Sequence, residues 1–163
     1  MKLNIFLFIL LLYSCGNNNQ IEDKNSVITK GVIESKKDQT FEEYWNEFGV
    51  AIQNGDTNKI KLLVDIPLRV VGREDRDPEL KLNDTEIIKY LLYIINKGGY
   101  YDFEKDTSIS NRTLLISDIN TLSQYDKYSK NQWIKDFVFK KTPKGWKLII
   151  VYTDTKDLKN KLK

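Results

Sequence analysis

The chain has 163 residues, a formal net charge of +3 and no histidine. Without histidine, a Ser-His-Asp or Cys-His catalytic arrangement is impossible, and metal sites built from imidazole are excluded. The near balance of 26 basic and 23 acidic side chains gives no reason to expect a nucleic-acid partner. A single cysteine cannot form an intramolecular disulfide, so a hydrophobic core must stabilise the fold. We expect no metal and no cofactor.

The first fifteen residues have the pattern of a secretory leader. Lys2 precedes eight apolar residues at positions 5–12, a run that is too short for a bilayer span but typical of a signal-peptide core. The quartet Leu12-Tyr13-Ser14-Cys15 resembles the lipobox of bacterial lipoproteins. This resemblance implies that residues 1–14 are a signal peptide and that Cys15 carries lipid with palmitate-type acyl chains. The domain would then be anchored to a membrane of the cell envelope, outside the cytoplasm.

The composition divides the remainder of the chain into three parts. Residues 15–39 carry few large apolar side chains, and we interpret them as the lipidated cysteine and a flexible tether. Residues 40–155 have the patterning of one folded domain. Residues 156–163 are rich in lysine, and we expect a frayed, solvated tail.

Two helices and a strand are predicted at the start of the domain. Thr40 and Glu43 form a capping box, and a single apolar stripe follows at Phe41, Tyr44, Trp45, Phe48 and Ile52. Gly55 ends this helix and Asp56 caps a second, shorter helix. Pro67 prevents that helix from continuing, and residues 68–71 are predicted to be a strand.

A third helix is predicted over residues 84–96, because Asn83 and Glu86 form another capping pattern. Beyond it, the carboxylates at positions 102, 104 and 106 alternate as in the first half of a calcium loop. Thr107 and Thr113 stand where such a loop needs Gly and Glu. The pattern therefore favours a polar loop with aromatic residues packed beneath it.

The last third of the domain is predicted to be antiparallel strands. Residues 112–119 are rich in apolar and β-branched side chains, and residues 132–141 alternate with Trp133, Phe137 and Phe139 on one face. A reverse turn at residues 142–145 leads into the return strand 146–153, where Trp146, Leu148, Ile150 and Tyr152 share a face.

The helix, Gly55-Asp56 turn, short helix and strand resemble the opening of the NTF2-like (SnoaL-like) superfamily, and the run Gly145–Ile150 resembles its closing strand. The resemblance implies an α+β cone with about three N-terminal helices packed on a curved antiparallel sheet. Such a cone often contains a ligand pocket. The candidates to line it here are aromatic: Tyr44, Trp45, Tyr90, Tyr93, Tyr101, Trp133, Phe137 and Trp146. The same residues can instead fill the core.

Our leading hypothesis is a membrane-anchored, non-enzymatic envelope lipoprotein that binds a small apolar ligand or an envelope protein. An open aromatic pocket would favour the ligand, and a filled interior with an exposed apolar patch would favour the protein partner. One alternative is an isomerase or dehydratase with a buried carboxylate base, for which Asp65, Asp118 and Asp136 are candidates. Another is an immunity-type lipoprotein that contacts a toxin through the charged residues 73–79.

Overall fold

The computed structural model describes residues 39–161. The predicted signal peptide, Cys15 and the tether up to residue 38 lie outside the described residues. The described part is an α+β domain with helices packed on a mixed sheet. In chain order its elements are α1 (Phe41–Asn54), α2 (Thr57–Leu63), β1 (Val64–Gly72), β2 (Leu80–Leu82), α3 (Ile87–Lys97), β3 (Gly99–Asp102), β4 (Thr107–Ser110), α4 (Asn111–Leu115), a 3-10 turn (Ile119–Thr121), β5 (Asn131–Ile134), β6 (Phe137–Thr142), β7 (Gly145–Thr153) and α5 (Thr155–Lys161).

The predictions for α1 and α2 are confirmed. The Thr40 hydroxyl accepts a hydrogen bond from the Glu43 amide at 3.2 Å, and the Glu43 carboxylate accepts one from the Thr40 amide at 2.9 Å. Every residue of the predicted apolar stripe is buried. Gly55 ends α1 with a φ of 66°, the left-handed conformation that glycine adopts without steric cost. The Asp56 carboxylate then caps α2 by accepting from the Lys59 amide at 3.0 Å.

The third helix is confirmed with a later start. Asn83 and Glu86 make the expected reciprocal hydrogen bonds, each 3.1 Å long. These bonds close a turn that precedes the helix, and the regular helix begins at Ile87. It ends at Lys97 and is followed by Gly98.

The main sheet has five strands in the order β2-β1-β7-β6-β5. Our prediction of a wholly antiparallel sheet is wrong, because β1 and β7 run parallel; the other neighbouring strands are antiparallel. The strand predicted at residues 68–71 extends over Val64–Gly72, with a cis peptide bond at Ile66-Pro67. Its pairing with β7 is irregular between Val64 and Arg69.

The single strand predicted over residues 132–141 is wrong. Lys135 and Asp136 form a tight turn there, so that Ile134 pairs with Phe137 in an antiparallel hairpin. The turn resets the side-chain alternation. Ile134 and Phe137 are therefore both buried, while Trp133 is exposed on the opposite face.

The hairpin of β6 and β7 is confirmed, with Thr142 paired to Gly145 across the predicted turn. Trp146 and Leu148 are buried as expected. The alternation then changes phase at an irregularity opposite Val138 and Phe139, so that Val151 is the next buried residue. The prediction that Ile150 and Tyr152 share a face with Trp146 and Leu148 is therefore wrong.

Three further segments differ from the sequence-based expectation. Residues 112–119 are not a strand: Ser110 caps the short helix α4, which buries Leu114 and Leu115. Residues 100–106, where we expected a polar loop, belong to the antiparallel hairpin β3–β4. The expectation of a frayed tail is wrong as far as Lys161, because this segment forms α5 and buries Leu158 in the core.

The helices and the inward-facing strand residues form one hydrophobic core. The other side of the five-stranded sheet carries mostly exposed and half-buried side chains, with Val138 buried among them, and we call it the open face. It comprises Arg69, Val71, Lys81, Trp133, Val138, Lys140, Ile150 and Tyr152. Within residues 39–161, the helices are too short or too polar to cross a bilayer.

Candidate functional site

The interior between the helices and the sheet is filled by interlocking aromatic rings. Phe139 lies at its centre, with four other ring centroids 5.4–6.2 Å away: those of Phe41, Tyr44, Trp45 and Phe48. The Tyr44 hydroxyl donates to the Leu63 carbonyl at 2.8 Å, and the Trp45 indole N–H donates to the Ser117 carbonyl at 2.8 Å. Burial also raises the pKa of Tyr44 well above its usual range. The two polar side chains are thus fixed as parts of a packed core.

The eight aromatic residues predicted to line a pocket are distributed over the core and the surface. Five are buried: Tyr44, Trp45, Tyr90, Phe137 and Trp146. Tyr93 is half-buried against the core, whereas Tyr101 and Trp133 are exposed. In the described part of the chain, three separate surface cavities each contain one of the eight. The structure therefore does not bring these residues together around one cavity.

The three carboxylates considered as catalytic candidates lie outside the core. Asp65 is exposed on β1, and Asp118 caps the 3-10 turn through the Asn120 amide at 3.0 Å. Asp136 forms an ion pair with Arg73. Among the described residues, the buried polar residues are Asn111, Gln132 and Thr155, none of them an acid. The Asp77 side chain is also only 5% exposed, but it forms an ion pair with Lys156. No group of three or more potential metal ligands occurs within residues 39–161.

The charged loop of residues 73–79 uses most of its charges within the molecule. Lys156 of α5 lies 3.3 Å from a Glu74 oxygen and 3.0 Å from an Asp77 oxygen. Arg69 pairs with Glu79 at 2.9 Å. The Lys156 ammonium holds the pKa of Asp77 below its usual value, and Arg69 does the same for the pKa of Glu79. These pairs connect the loop to β1 and α5.

The hairpin β3–β4 instead presents unprotected aromatic residues. Phe103, in its turn, is 87% exposed, and its ring meets that of Tyr101 edge-on at 5.0 Å. The Tyr101 hydroxyl donates to the Asp106 carboxylate, and this contact raises the pKa of Tyr101. Asp102 accepts from the Glu104 amide at 3.1 Å and so orders the turn. We call Tyr101, Phe103 and Glu104 the hairpin tip.

A cleft of about 460 Å³ lies beside the hairpin tip, between residues 100–105, residues 121–124 and Lys135. We call it the hairpin cleft. Its volume is in the range of small-ligand pockets. The Lys135 ammonium lies 4.4 Å from the centroid of the Tyr100 ring, a cation–π contact. The Lys135 carbonyl accepts from the Trp133 indole N–H at 2.9 Å, so this one residue contacts both the cleft and the open face.

Lys135 also has a left-handed backbone conformation, with φ at 52°. Glycine is the favoured residue at such a position in a tight hairpin turn, and a lysine there is strained. Sequence analysis missed this residue because it read residues 132–141 as one strand. The aromatic and acidic run of residues 100–106 is visible in the sequence, but its pattern predicts a polar loop and gives no sign of a hairpin with an exposed aromatic tip.

Comparison with known proteins identifies no related protein. The chain matches no protein-family model, no curated protein and no solved structure.

Proposed function

We propose that this protein is a lipid-anchored lipoprotein of the bacterial cell envelope whose domain, without catalysing a reaction, binds another envelope protein through the hairpin tip. The anchor is supported by the lipobox-like Leu12-Tyr13-Ser14-Cys15 after a short apolar run. The binding role is supported by a filled interior combined with the 87% exposed ring of Phe103. Exposed aromatic anchors of this kind dominate the binding energy of many protein interfaces.

The charges around the hairpin tip indicate the chemistry of the partner. Residues 102–106 contain three carboxylates and one lysine, so the surface beside the aromatic pair is acidic. Glu104 is fully available at the surface, whereas Asp102 and Asp106 are engaged in local hydrogen bonds. An apolar pocket bordered by arginine or lysine would complement this surface.

Photo-crosslinking in intact cells of the producing bacterium tests the binding role. A photoreactive phenylalanine analogue replaces Phe103 in one strain and Tyr128 in another. Tyr128 is a matched control because it is also aromatic and 83% exposed, but it lines a different cavity, with Thr40 and Trp146. We expect a discrete adduct from position 103, its loss when Glu104→Lys is added, and no adduct from position 128. Equal labelling at both positions, or an adduct insensitive to Glu104→Lys, would contradict a specific site.

The anchor has a separate test. Cys15→Ser removes the sulfur that would carry the lipid, so we expect the protein to leave the membrane fraction. Retention of the variant in membranes washed with concentrated salt, which removes protein held by charge alone, would refute lipid anchoring. It would leave the hairpin crosslink as an independent result.

The hairpin cleft supports small-ligand binding as a second candidate function. Its volume of about 460 Å³ suits a small ligand, and the Tyr100 ring and the Lys135 ammonium provide an aromatic wall next to a positive charge. If the crosslinking strains form no protein adduct, native mass spectrometry of the protein purified from its own membranes tests whether a small molecule is bound. A bound small molecule lost in Lys135→Gly would support it.

We also propose that the domain is an NTF2-like cone. The proposal is supported by the order α1, Gly55-Asp56, α2 and β1, and by the packing of α1, α2 and α3 into one core with the sheet. The parallel pairing of β1 and β7 departs from the curved antiparallel sheet that the resemblance implied. A crystal structure that failed to superimpose on any NTF2-like domain would refute this assignment.

A further inference from the structure

The open face of the sheet combines an apolar centre, in which Val138 is buried and Ile150 half-buried, with an exposed tryptophan and a half-buried tyrosine. Trp133, Val138 and Ile150 are cross-strand neighbours on β5, β6 and β7, so their side chains share this face. Trp133 is 58% exposed and stacks on Tyr152, with the ring centroids 5.4 Å apart and the planes within 8° of parallel. The stacked pair is therefore a flat, rigid aromatic surface.

Basic residues border this apolar centre. The same row continues to Arg69 on β1 and Lys81 on β2, and both are exposed. On β6, two residues after Val138, Lys140 is also exposed and forms no ion pair with any described residue. A shallow groove of about 360 Å³ runs beside it, with Ile149 and Ile150 among its lining residues and Lys140, Lys141 and Arg69 along its sides. Asp65 is the carboxylate among the groove's lining residues, and Glu79 is already paired with Arg69.

Tryptophan and tyrosine are the residues that concentrate at the headgroup level of bilayers, and lysine and arginine are attracted to anionic lipids. We propose that the open face docks on the surface of an anionic bilayer. The inference rests on the lipid anchor proposed above, which would keep the domain at a high local concentration near the membrane. A second copy is disfavoured as the occupant, because face-to-face pairing would bring the cations of two copies together.

The intrinsic fluorescence of the protein provides a direct assay. Of its three tryptophans, Trp45 and Trp146 are buried, and Trp133 alone is exposed. The full protein, extracted from membranes, is reconstituted into vesicles of phosphatidylcholine alone or with phosphatidylglycerol, each containing lipids brominated near the headgroup. With phosphatidylglycerol, we expect a blue shift, quenching by the brominated lipid, and protection of Trp133 from iodide. In phosphatidylcholine alone, Trp133 should stay accessible to iodide. Trp133→Phe supplies the background of the two buried indoles.

A matched pair of charge variants separates docking from general electrostatic attraction. Lys81→Glu with Lys140→Glu changes the open face, and the ratio of docked to undocked protein should fall at least about 25-fold, since each lysine near an anionic surface contributes about fivefold. Lys89→Glu with Lys97→Glu makes the same charge change on α3, on the helical side of the domain, and should leave quenching unchanged.

Vesicle flotation distinguishes failure of this inference from failure of the proposed anchor. Protein that does not float with vesicles of phosphatidylcholine alone lacks the anchor. Protein that floats while Trp133 stays accessible to iodide overturns docking of the open face alone. A blue shift that depends on protein concentration and not on lipid charge would mean that a second copy covers the face, and would also overturn the proposal.

Discussion

Replacing Phe139 with alanine tests the conclusion that the domain interior is filled. The Phe139 ring is fully buried and contacts four other aromatic rings. Truncation of a buried phenylalanine costs about 3–5 kcal/mol, because the transfer energy of the ring is lost and a cavity remains. For a domain of this size, each 1 kcal/mol lowers the Tm by about 4 °C. We therefore expect the Tm of Phe139→Ala to fall by about 12–20 °C.

Thermal unfolding followed by circular dichroism measures the fall in Tm, and urea unfolding measures the loss of unfolding free energy. Phe103→Ala is the matched control. Phe103 is 87% exposed, and its truncation should change the unfolding free energy by less than about 0.5 kcal/mol. The cavity in Phe139→Ala should be apolar and dry, so benzene should raise the Tm of the variant more than that of the parent protein. A loss below about 1 kcal/mol, or benzene stabilising both proteins equally, would show that Phe139 borders an existing void.

Three further predictions follow from local contacts. Lys156 lowers the pKa of Asp77, and Asp77 raises the pKa of Lys156. Their ion pair therefore stabilises α5 above about pH 4, where Asp77 is charged, and below about pH 10.4, where Lys156 is charged. Outside this window the protection factor of the Leu158 amide, which corrects its exchange rate for the intrinsic effect of pH, should fall, and Lys156→Met should abolish both of these falls. Thr40→Ala should cost about 1 kcal/mol in urea unfolding, because it removes the cap of α1; a loss matched by Ser would contradict a hydroxyl-specific role. Lys135→Gly should be more stable than Lys135→Ala by about 1 kcal/mol, since glycine relieves the positive φ; equal stabilities would indicate that the turn is unstrained.

The features that could be predicted from the sequence are those set by neighbouring residues. The cap of α1 and its apolar stripe lie within one stretch of 14 residues, and the turn between β6 and β7 needs only four. Capping side chains, helical periodicity and turn residues act over such short distances, so the printed sequence contains their full signal.

The features that were missed depend on contacts between distant residues. The parallel pairing of β1 with β7 joins segments about 80 residues apart, and side-chain alternation does not specify a strand's neighbour. Neither Lys135 nor Asp136 is a glycine or an asparagine, the residues that mark a two-residue hairpin turn. The sequence therefore did not indicate that the chain reverses between β5 and β6. The lysine-rich composition of α5 concealed Leu158, whose burial depends on the surface against which it packs.

The candidate site was only partly accessible to sequence analysis for the same reason. Tyr101 was named for a pocket, but neighbouring Phe103 was not, although it proved the more exposed. Periodicity can assign residues to a face; it cannot tell which face meets solvent until the covering elements are placed. Trp133 shows this directly, because one unrecognised turn moved it from the expected core to the surface.

The position of β1 between β2 and β7 has a consequence for how the chain reaches its native state. β1 comes early in the domain, yet one of its two edges stays without a partner until the last strand has been synthesised. Pairings over such a long sequence separation form slowly, and an open strand edge can associate with other chains in the meantime. The nascent polypeptide therefore cannot complete its sheet until β7 has emerged, and a chaperone that shields the exposed edge of β1 should increase the yield of folded protein.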